Sequence, residues 1–451
     1  MSTHAEIVIC GAGIAGVSAA YFLTCAGAKD ILLVDERPPL SLTSDRSTEC
    51  YRNWWPDAAM LALMNRSIDL MEALADESGN VFHLNQRGYL FVTADEHKIP
   101  ALRQRAQRTS GLGAGPLRIH TPEASSYHPA LPEGFHNQPS GADLLLGSML
   151  IRKHFPCITE RAVAALHVRR AGWLSAQQLG MHLLEQARGR AVRFVSARVT
   201  GLEMEKGRMR AVRLGNGERI TTPTFINASG PFLKEVGQML GVDLPVFSEL
   251  HLKAAFRDHL GVVSRGAPLL IWDDPQTLPW ADEERTLLAA EEETHWLTEV
   301  FPSGVHTRPE GGAESQMILM LWECRPRAME PIWPPPLDGM YPEIALRGLA
   351  TMLPGLRQYL DKIPRPQLDG GYYTKTRENR PLIGPLPVEG AYVIGALSGY
   401  GIMSACAAGE LLAAHVTRAE LPAYAPAFTL ARYEDVEYLK RVEEWEESGQ
   451  L

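Results

Sequence analysis

The start of the chain alternates between apolar runs and a glycine-rich turn in an order that predicts a βαβ unit. Residues 6–10 form a short apolar run that leads directly into Gly-Ala-Gly-Ile-Ala-Gly at residues 11–16. Residues 17–26 are mostly small or apolar and contain no proline, which is typical of a buried helix. A second apolar run at residues 31–34 ends at Asp35. The pattern therefore predicts a strand, a glycine turn, a helix and a second strand.

Apolar periodicity further along predicts that strands and helices alternate over most of the chain. Strand-like stretches lie at residues 87–93, 192–199, 207–214, 224–226, 252–256, 317–322 and 391–394. Helical patterns lie at residues 59–75, 174–187, 342–360 and 433–447, and after the glycines at 399–401. The acidic stretch 273–294 is predicted to be a loop. These elements predict an α/β fold.

The first three glycines have the spacing of a dinucleotide-binding turn. Gly11 permits the tight turn, Gly13 lets the backbone approach a pyrophosphate, and Gly16 allows the helix to pack closely on the strand. The helix N-terminus offers unpaired N–H groups to the phosphates. Asp35 lies where the motif places the acid that binds ribose hydroxyls. We therefore predict a nucleotide site; a glycine turn without a ligand is the alternative.

A second glycine-rich strand–helix element favours FAD over NAD as that nucleotide. Residues 394–403 predict another helix N-terminus in the same molecule. Its partial positive charge would stabilise the anionic edge of a reduced flavin. The alternative is a glycine turn that only packs against the first helix.

Composition narrows the class of protein. Of 451 residues, 45% are hydrophobic and 22% are charged, which is typical of a globular protein. The net charge of −9 argues against binding to nucleic acid or to anionic lipid. The six cysteines lack metal-binding spacing, so we predict no metal site and infer a reducing compartment. No secretory signal or apolar membrane span is evident, and we predict a cytoplasmic protein.

Several motifs in a fixed order carry a resemblance to a known family. They are the glycine turn, Arg46-Ser47-Thr48 with Arg52, Asn227-Ala228-Ser229-Gly230-Pro231, and Tyr373 followed by residues 380–385 and Gly399-Tyr400-Gly401. This set resembles the D-amino-acid oxidase superfamily of FAD enzymes, and within it the branch of sarcosine oxidase, dimethylglycine dehydrogenase and dye-linked L-proline dehydrogenase. The resemblance implies a Rossmann-like FAD-binding domain of the glutathione-reductase type and a mixed-sheet substrate domain. It implies FAD-binding segments at 1–86, 166–246 and 366–451, with substrate segments at 87–165 and 247–365.

The resemblance also implies a set of cofactor-binding residues that extends beyond the glycine turn. They are Gly11, Gly13, Ile14, Ala15, Gly16, Asp35, Glu36, Ser44, Arg46, Ser47, Thr48, Val199, Ser229, Gly230, Gly384, Gly399, Tyr400, Gly401, Ile402 and Met403.

Five residues are candidates for the catalytic site. Arg52 matches the family arginine that pairs with the substrate carboxylate; the alternative is an ion pair with Asp45 or Asp57. Tyr373 matches an active-site tyrosine, and its alternative is a core tyrosine with a satisfied hydroxyl. His251 is a candidate base, as is His306. Lys253 is a candidate cation, with a surface or sheet-edge lysine as the alternative.

The chain departs from the family pattern at several positions. Gly371 replaces the cysteine that links to flavin, and Cys50 stands where dimethylglycine dehydrogenase carries its flavin-linked histidine. Non-covalent FAD is therefore favoured, and a thioether from Cys50 to the flavin is the alternative. Met403 replaces a lysine that binds carboxylate. Residues 317–323 lack the lysine that promotes reaction with oxygen, which favours a dehydrogenase over an oxidase.

Taken with the resemblance, the residues predict an FAD-dependent oxidoreductase of a small-molecule amine or amino acid. It would oxidise the C–N bond by hydride transfer to flavin N5, leaving an imine. Its electron acceptor would be O2 or a redox partner. Alternatives are an NADPH-using flavin hydroxylase, an FAD-binding assembly factor, and an electron-transfer subunit without amine turnover of its own. Bleaching of the flavin by an amine would distinguish them.

Overall fold

A computed structural model describes residues 4–443 as strands and helices in alternation. The strands are β1 (Ile7–Cys10), β2 (Ile31–Asp35), β3 (Cys50–Arg52), β4 (Tyr89–Thr93), β5 (Leu117–His120), β6 (Ala142–Leu146), β7 (Ala164–Val168), β8 (Ala171–Trp173), β9 (Arg193–Ser196), β10 (Val199–Glu205), β11 (Arg208–Leu214), β12 (Arg219–Thr221), β13 (Thr224–Asn227), β14 (Phe247–Arg257), β15 (Leu269–Trp272), β16 (Gln276–Thr277), β17 (Val300–Phe301), β18 (His306–Glu310), β19 (Met317–Leu321), β20 (Gln367–Lys375), β21 (Leu382–Pro385) and β22 (Ala391–Gly395). The α-helices are α1 (Ile14–Cys25), α2 (Ala58–Ser78), α3 (Ile99–Thr109), α4 (Ser148–His154), α5 (Ala176–Gly189), α6 (Leu233–Met239), α7 (Asp282–Ala290), α8 (Tyr341–Met352), α9 (Gly401–Thr417) and α10 (Val436–Glu443).

A six-stranded sheet carries the predicted βαβ unit at its centre. Its order is β21-β22-β13-β1-β2-β9, with all neighbours parallel except the edge pair β21 and β22. Helices α1, α5 and α9 cover one face, and the three-stranded sheet β10-β11-β12 and α6 cover the other. Because both faces are covered, the central strands are almost entirely apolar.

Helices α1 and α9 pack closely enough to bring their N-termini to the same side of this sheet. Ser18 Oγ donates a hydrogen bond of 2.6 Å to the Ala405 carbonyl oxygen. A Cβ on Gly409 would lie 2.4 Å from Ser18 Oγ, so α9 needs a glycine at this crossing. The two helix starts therefore face a common space.

A mixed nine-stranded sheet, in the order β20-β14-β19-β18-β15-β4-β7-β6-β5, forms the second layer. Alternate residues of its strands point to opposite faces. One face packs against α8 through an apolar cluster that includes Leu90, Phe256, Leu270 and Met320. The opposite face carries polar and aromatic side chains and faces the start of α9. The α/β prediction, with a mixed second sheet, is confirmed.

Several predicted elements differ from the structure in extent. The predicted helix 342–360 ends at Met352 as an α-helix, because Pro354 cannot continue it, and a 3₁₀ turn follows. The predicted strand 192–199 divides after Ser196: β9 joins the six-stranded sheet and β10 joins another. The acidic stretch predicted as a loop contains α7, whose first turn is acidic. Residues 444–447 of the predicted tail helix lie outside the described residues.

The predicted domain boundaries remain a prediction. Strands of the six-stranded sheet all fall in the segments assigned to FAD binding. Strand β20 falls in the segment 366–451, yet it pairs with β14 in the nine-stranded sheet. No helix within residues 4–443 is long and apolar enough to cross a bilayer.

Candidate active site

The larger of two adjoining pockets is a cleft at the glycine turn, here called the dinucleotide cleft. It encloses about 1190 Å³ of empty space, part of it open to solvent. Its walls come from the C-terminal ends of β1, β2 and β22, the loop after β2, the residues after β13, and the start of α9. In parallel sheets this carboxyl edge is where nucleotides bind.

Two glycines of the turn have no room for a side chain. A Cβ on Gly11, which has φ of +107°, would lie 2.4 Å from the Ala228 carbonyl oxygen. A Cβ on Gly16 would lie 1.9 Å from the Gly11 carbonyl oxygen. The turn can therefore form only with glycine at both positions, so that α1 starts immediately after β1.

Polar side chains hold the turn in place. Asp35 accepts hydrogen bonds from the backbone N–H of Ala12 at 2.8 Å and of Arg37 at 3.0 Å. Ser44 Oγ accepts one from the N–H of Ile14 at 2.9 Å. Asp35 thus anchors the loop on both sides while lining the cleft.

The cleft fits an FAD. Ser44 accepts the N–H of Ile14 in the first turn of α1. The N-cap residues of α1 and α9 contribute no capping side chain, so the other N–H groups of both first turns remain open to an anion. Residues at both helix starts, Gly13 and Gly401, line the cleft. When FAD is bound, Gly11, Gly13 and Ser229 would hold its phosphates and Asp35 its ribose.

The predicted cofactor residues divide into three groups. Those lining the dinucleotide cleft are Gly11, Gly13, Ile14, Ala15, Asp35, Glu36, Ser44, Val199, Ser229, Gly230 and Gly401. Those lining the second pocket are Thr48, Gly399 and Met403. Those lining neither pocket are Gly16, Arg46, Ser47, Gly384, Tyr400 and Ile402.

The residues of the third group have packing contacts instead. Arg46 pairs with Asp369 at 3.0 Å. The Tyr400 hydroxyl donates to the Asn379 carbonyl oxygen at 2.8 Å. Gly384 is on the edge strand β21 and lies beside His415 of α9. Strand β21 runs antiparallel to β22 and therefore leads away from the glycine turn.

The second pocket, here called the sheet pocket, encloses about 580 Å³ of empty space under the polar face of the nine-stranded sheet. The strand register explains which residues line it, because residues that pair directly on neighbouring strands point to the same face of the sheet. Leu321 pairs with His306 on one side and with Lys253 on the other. His251 lies two residues before Lys253 on β14 and therefore points to the same face. The pocket is lined by Thr48, Cys50, Arg52, Trp55, Tyr89, His251, Leu252, Leu269, His306, Leu321, Trp322, Glu323, Tyr373, Gly399 and Met403.

Arg52 is buried at the end of β3, and its guanidinium lies against aromatic rings. It is 4.9 Å from the centre of Trp55 and 5.7 Å from that of Tyr89. Burial lowers the pKa of Arg52. Of the carboxylates proposed as alternative partners, Asp57 caps α2 and pairs with Arg380, and Asp45 contacts Arg46 and Gln177.

His251 and Tyr373 come together in the pocket as stacked rings, 3.8 Å apart and 15° from parallel. His251 Nε2 lies 3.0 Å from Glu249 Oε2, and its Nδ1 lies 3.4 Å from Glu323 Oε1. Lys375 donates to Glu249 at 2.6 Å. Burial raises the pKa of Tyr373, so its hydroxyl is a neutral donor at neutral pH.

Lys253 is neither in the pocket nor at a sheet edge. Strand β14 lies between β19 and β20, and the Lys253 ammonium donates to the Ser47 carbonyl oxygen at 2.9 Å. Burial lowers its pKa. The sheet-edge interpretation is therefore wrong, since the lysine is an interior contact to the loop that carries Ser44.

Sequence reasoning missed several residues of the sheet pocket. Glu323, Trp55 and Tyr89 line it beside the predicted ones. His306, considered only as a weak candidate base, has Nδ1 at 2.7 Å from the Gly304 carbonyl oxygen, and burial lowers its pKa. The alternation of Leu319, Leu321 and Glu323 was the available signal, but it became informative only with the strand's partners known.

Comparisons with known proteins agree on one family. The family described as "DAO: FAD dependent oxidoreductase" matches residues 6–415. Human dimethylglycine dehydrogenase is 25% identical over 260 residues, which are 55% of this chain and 26% of that protein. The mouse pyruvate dehydrogenase phosphatase regulatory subunit is 24% identical over 276 residues, 61% of this chain and 27% of that protein.

The chain thus spans about a quarter of the length of the curated relatives it matches. Among solved structures, L-proline dehydrogenase from P. horikoshii superimposes with a TM-score of 0.73 at 18% identity, covering 96% of this chain and 99% of that one. The predicted family and cofactor are confirmed. The chain belongs to the DAO family of FAD-dependent oxidoreductases, and its cofactor is FAD.

Proposed function

We propose that the protein oxidises the C–N bond of an amino acid or of a secondary amine that carries a carboxylate. The observation that supports this most is a buried guanidinium, Arg52, in a pocket that adjoins the cofactor cleft. The two pockets meet at the start of α9, where Ser398 and Gly401 line one and Gly399 and Met403 line the other. A substrate in the sheet pocket would therefore lie next to the cofactor.

Arg52, whose Nε donates to the Trp54 carbonyl oxygen at 3.2 Å, would bind the substrate carboxylate through its planar guanidinium. Trp55 and Tyr89 keep the guanidinium in place and exclude water from one side of it. The stacked rings of His251 and Tyr373 form another part of the wall and would limit how the substrate can turn. The chain thereby supplies orientation, and bound FAD would supply two-electron redox chemistry.

We further propose that FAD is held without a covalent bond. Gly371 stands in place of the family's flavin-linked cysteine and has no side chain that could bond to the flavin. A Cβ added there would lie 3.0 Å from Arg46 Cβ, so a larger residue would contact Arg46. Cys50 donates its thiol to the Thr48 carbonyl oxygen at 3.2 Å, and burial raises its pKa. A thiol kept protonated is a poor nucleophile.

The test is anaerobic mixing of the FAD-loaded protein with proline, sarcosine, dimethylglycine and D-amino acids while the flavin absorbance is recorded. Bleaching by one class identifies the substrate, and the rate of recolouring in air separates an oxidase from a dehydrogenase. A flavin that none of these compounds bleaches contradicts the proposal. Acid precipitation followed by measurement of the released flavin tests the non-covalent attachment.

A second candidate is an FAD-binding regulatory or electron-transfer subunit without amine turnover. It is favoured by the match to a relative named as a phosphatase regulatory subunit. In that case FAD would be present, amines would leave it oxidised, and the protein would co-purify with a partner. The charged and aromatic composition of the sheet pocket is better suited to the enzymatic function.

A further inference from the structure

Glu323 brings a carboxylate into the sheet pocket that binding of a substrate carboxylate does not use. It lines the same pocket as Arg52. Its side chain is 29% exposed, and Nδ1 of His251 lies 3.4 Å from its Oε1. The positive charge of Arg52 also interacts with the Glu323 carboxylate. Within residues 4–443, no donor hydrogen-bonds to the Glu323 carboxylate. A carboxylate in this position retains the capacity to bind a cationic group from a ligand.

The backbone before Glu323 is fixed, so its position is a built feature of the fold. The N–H of Trp322 donates to the Tyr341 hydroxyl at 2.8 Å. The indole of Trp322 is buried and donates to the carbonyl oxygens of Pro302 and Ser303 at 3.2 and 3.3 Å. Glu323 therefore follows a residue that is held in place just after β19, and its side chain is on the same face of the sheet as Leu321.

The neighbouring carboxylate, Glu249, has its charge neutralised outside the pocket. Glu249 accepts from both His251 and Lys375, so its negative charge is already paired, and it does not line the pocket. His251 lies between Glu249 and Glu323. Of these two carboxylates, only Glu323 lines the sheet pocket.

Building on the proposed function, we propose that Glu323 is a specificity residue that binds the substrate amine in its initial, protonated form while Arg52 binds the carboxylate. The amine would pass that proton to a base in the pocket, for which His251 is the candidate, before the hydride leaves. The site would then take zwitterionic amino acids and N-alkylamino acids with one carboxylate. Ligands without a positive charge at the amine position, and dicarboxylates with a second anion there, would be disfavoured. Opposite charges attract and like charges repel more strongly in a partly buried pocket than in bulk water, so one carboxylate achieves both effects.

The experiment uses ligand pairs that differ only in the amine: proline with 2-tetrahydrofuroate, and sarcosine with methoxyacetate. Dissociation constants are measured by calorimetry on the FAD-loaded protein under anaerobic conditions. We expect the wild-type protein to prefer the amine of at least one pair by ~tenfold or more. Glu323→Gln should weaken binding of that amine by a similar factor and leave or strengthen binding of its ether analogue. Glu323→Asp, which keeps the charge, should retain the preference.

Glu249→Gln is the matched control, because Glu249 contacts the same histidine but does not line the pocket. It should leave the amine-to-ether preference unchanged. Equal changes for amine and ether in Glu323→Gln, or a wild-type protein that prefers neither amine, would overturn the inference. A wild-type protein that prefers the amine but whose flavin stays oxidised would contradict the proposed function and leave the charge preference intact.

Discussion

The dinucleotide cleft and the sheet pocket adjoin each other, but backbone groups form the cleft and side chains form the pocket. The cleft depends on the backbone: tight glycine turns, open helix N-termini, and the anchoring of the turn by Asp35 and Ser44. The sheet pocket depends on side chains that project from one face of strands far apart in sequence, from Tyr89 to Tyr373. A backbone site can be recognised from a local motif, whereas a side-chain site depends on strand register.

The largest effect is expected from a change that removes the backbone site. In Gly16→Ala the added Cβ would lie 1.9 Å from the Gly11 carbonyl oxygen, so the turn cannot form. We expect purified protein without FAD, measured as the ratio of flavin to protein absorbance. Gly189→Ala is the control, because no atom lies within 4 Å of its added Cβ. A full complement of FAD in Gly16→Ala would contradict this account of the cleft.

The connection between the two sites should be the next most sensitive. Arg308 is 1% exposed and pairs with Glu49 and Glu310, and it donates to the Thr48 carbonyl oxygen at 3.0 Å in the loop that also carries Ser44. Arg308→Met leaves two carboxylates without their cation, which costs about 3 kcal/mol of unfolding free energy. Denaturant unfolding measures this. Arg66→Met removes a surface pair with Glu410 and should cost less than about 1 kcal/mol; equal losses would show that burial of Arg308 is unimportant.

A change confined to the sheet pocket should affect substrate and spare the cofactor. Arg52→Lys keeps the charge but loses the planar fork, and we expect the substrate dissociation constant to rise by ~30-fold, or about 2 kcal/mol. FAD content should match that of the wild-type protein, since Arg52 does not line the cleft. Stopped-flow reduction at varied substrate concentration gives the constant. A loss of FAD in this variant would mean that the two sites are not separable.

The smallest effect concerns the charge row behind the sheet pocket. Burial alone would raise the pKa of Glu249, but hydrogen bonds from His251 and Lys375 lower it from 4.5 to about 2. Because the pKa in the folded state is the lower one, the stability from this carboxylate is complete above pH 4.5 and is lost as pH falls toward 2. The difference in unfolding free energy between wild type and Glu249→Gln should shrink over that interval. A constant difference would show that the carboxylate is not ionised in the folded protein.

The sequence predictions succeeded where the physical requirement is local. The βαβ unit, its glycine turn and the second helix N-terminus at Gly401 all follow from sterics and hydrogen bonding within short segments. The predictions were less complete for the sheet pocket. Arg52, His251 and Tyr373 line it together, but Lys253 lies two residues along β14 against Ser47, outside the pocket. Glu323 was not singled out at all.

By itself, the sequence determined the α/β class, the family and the FAD site around the glycine turn, and it offered Arg52 as a candidate for binding a carboxylate. Those properties depend on which residues can adopt a tight turn, start a helix or continue an apolar run, and neighbours along the chain decide that. Only the tertiary structure decided that Glu323 lies 3.4 Å from His251 and lines one pocket with Arg52. The pairing of β14 with β19 and β20 sets that arrangement, and a shift of one residue in either register would turn these side chains to the opposite face.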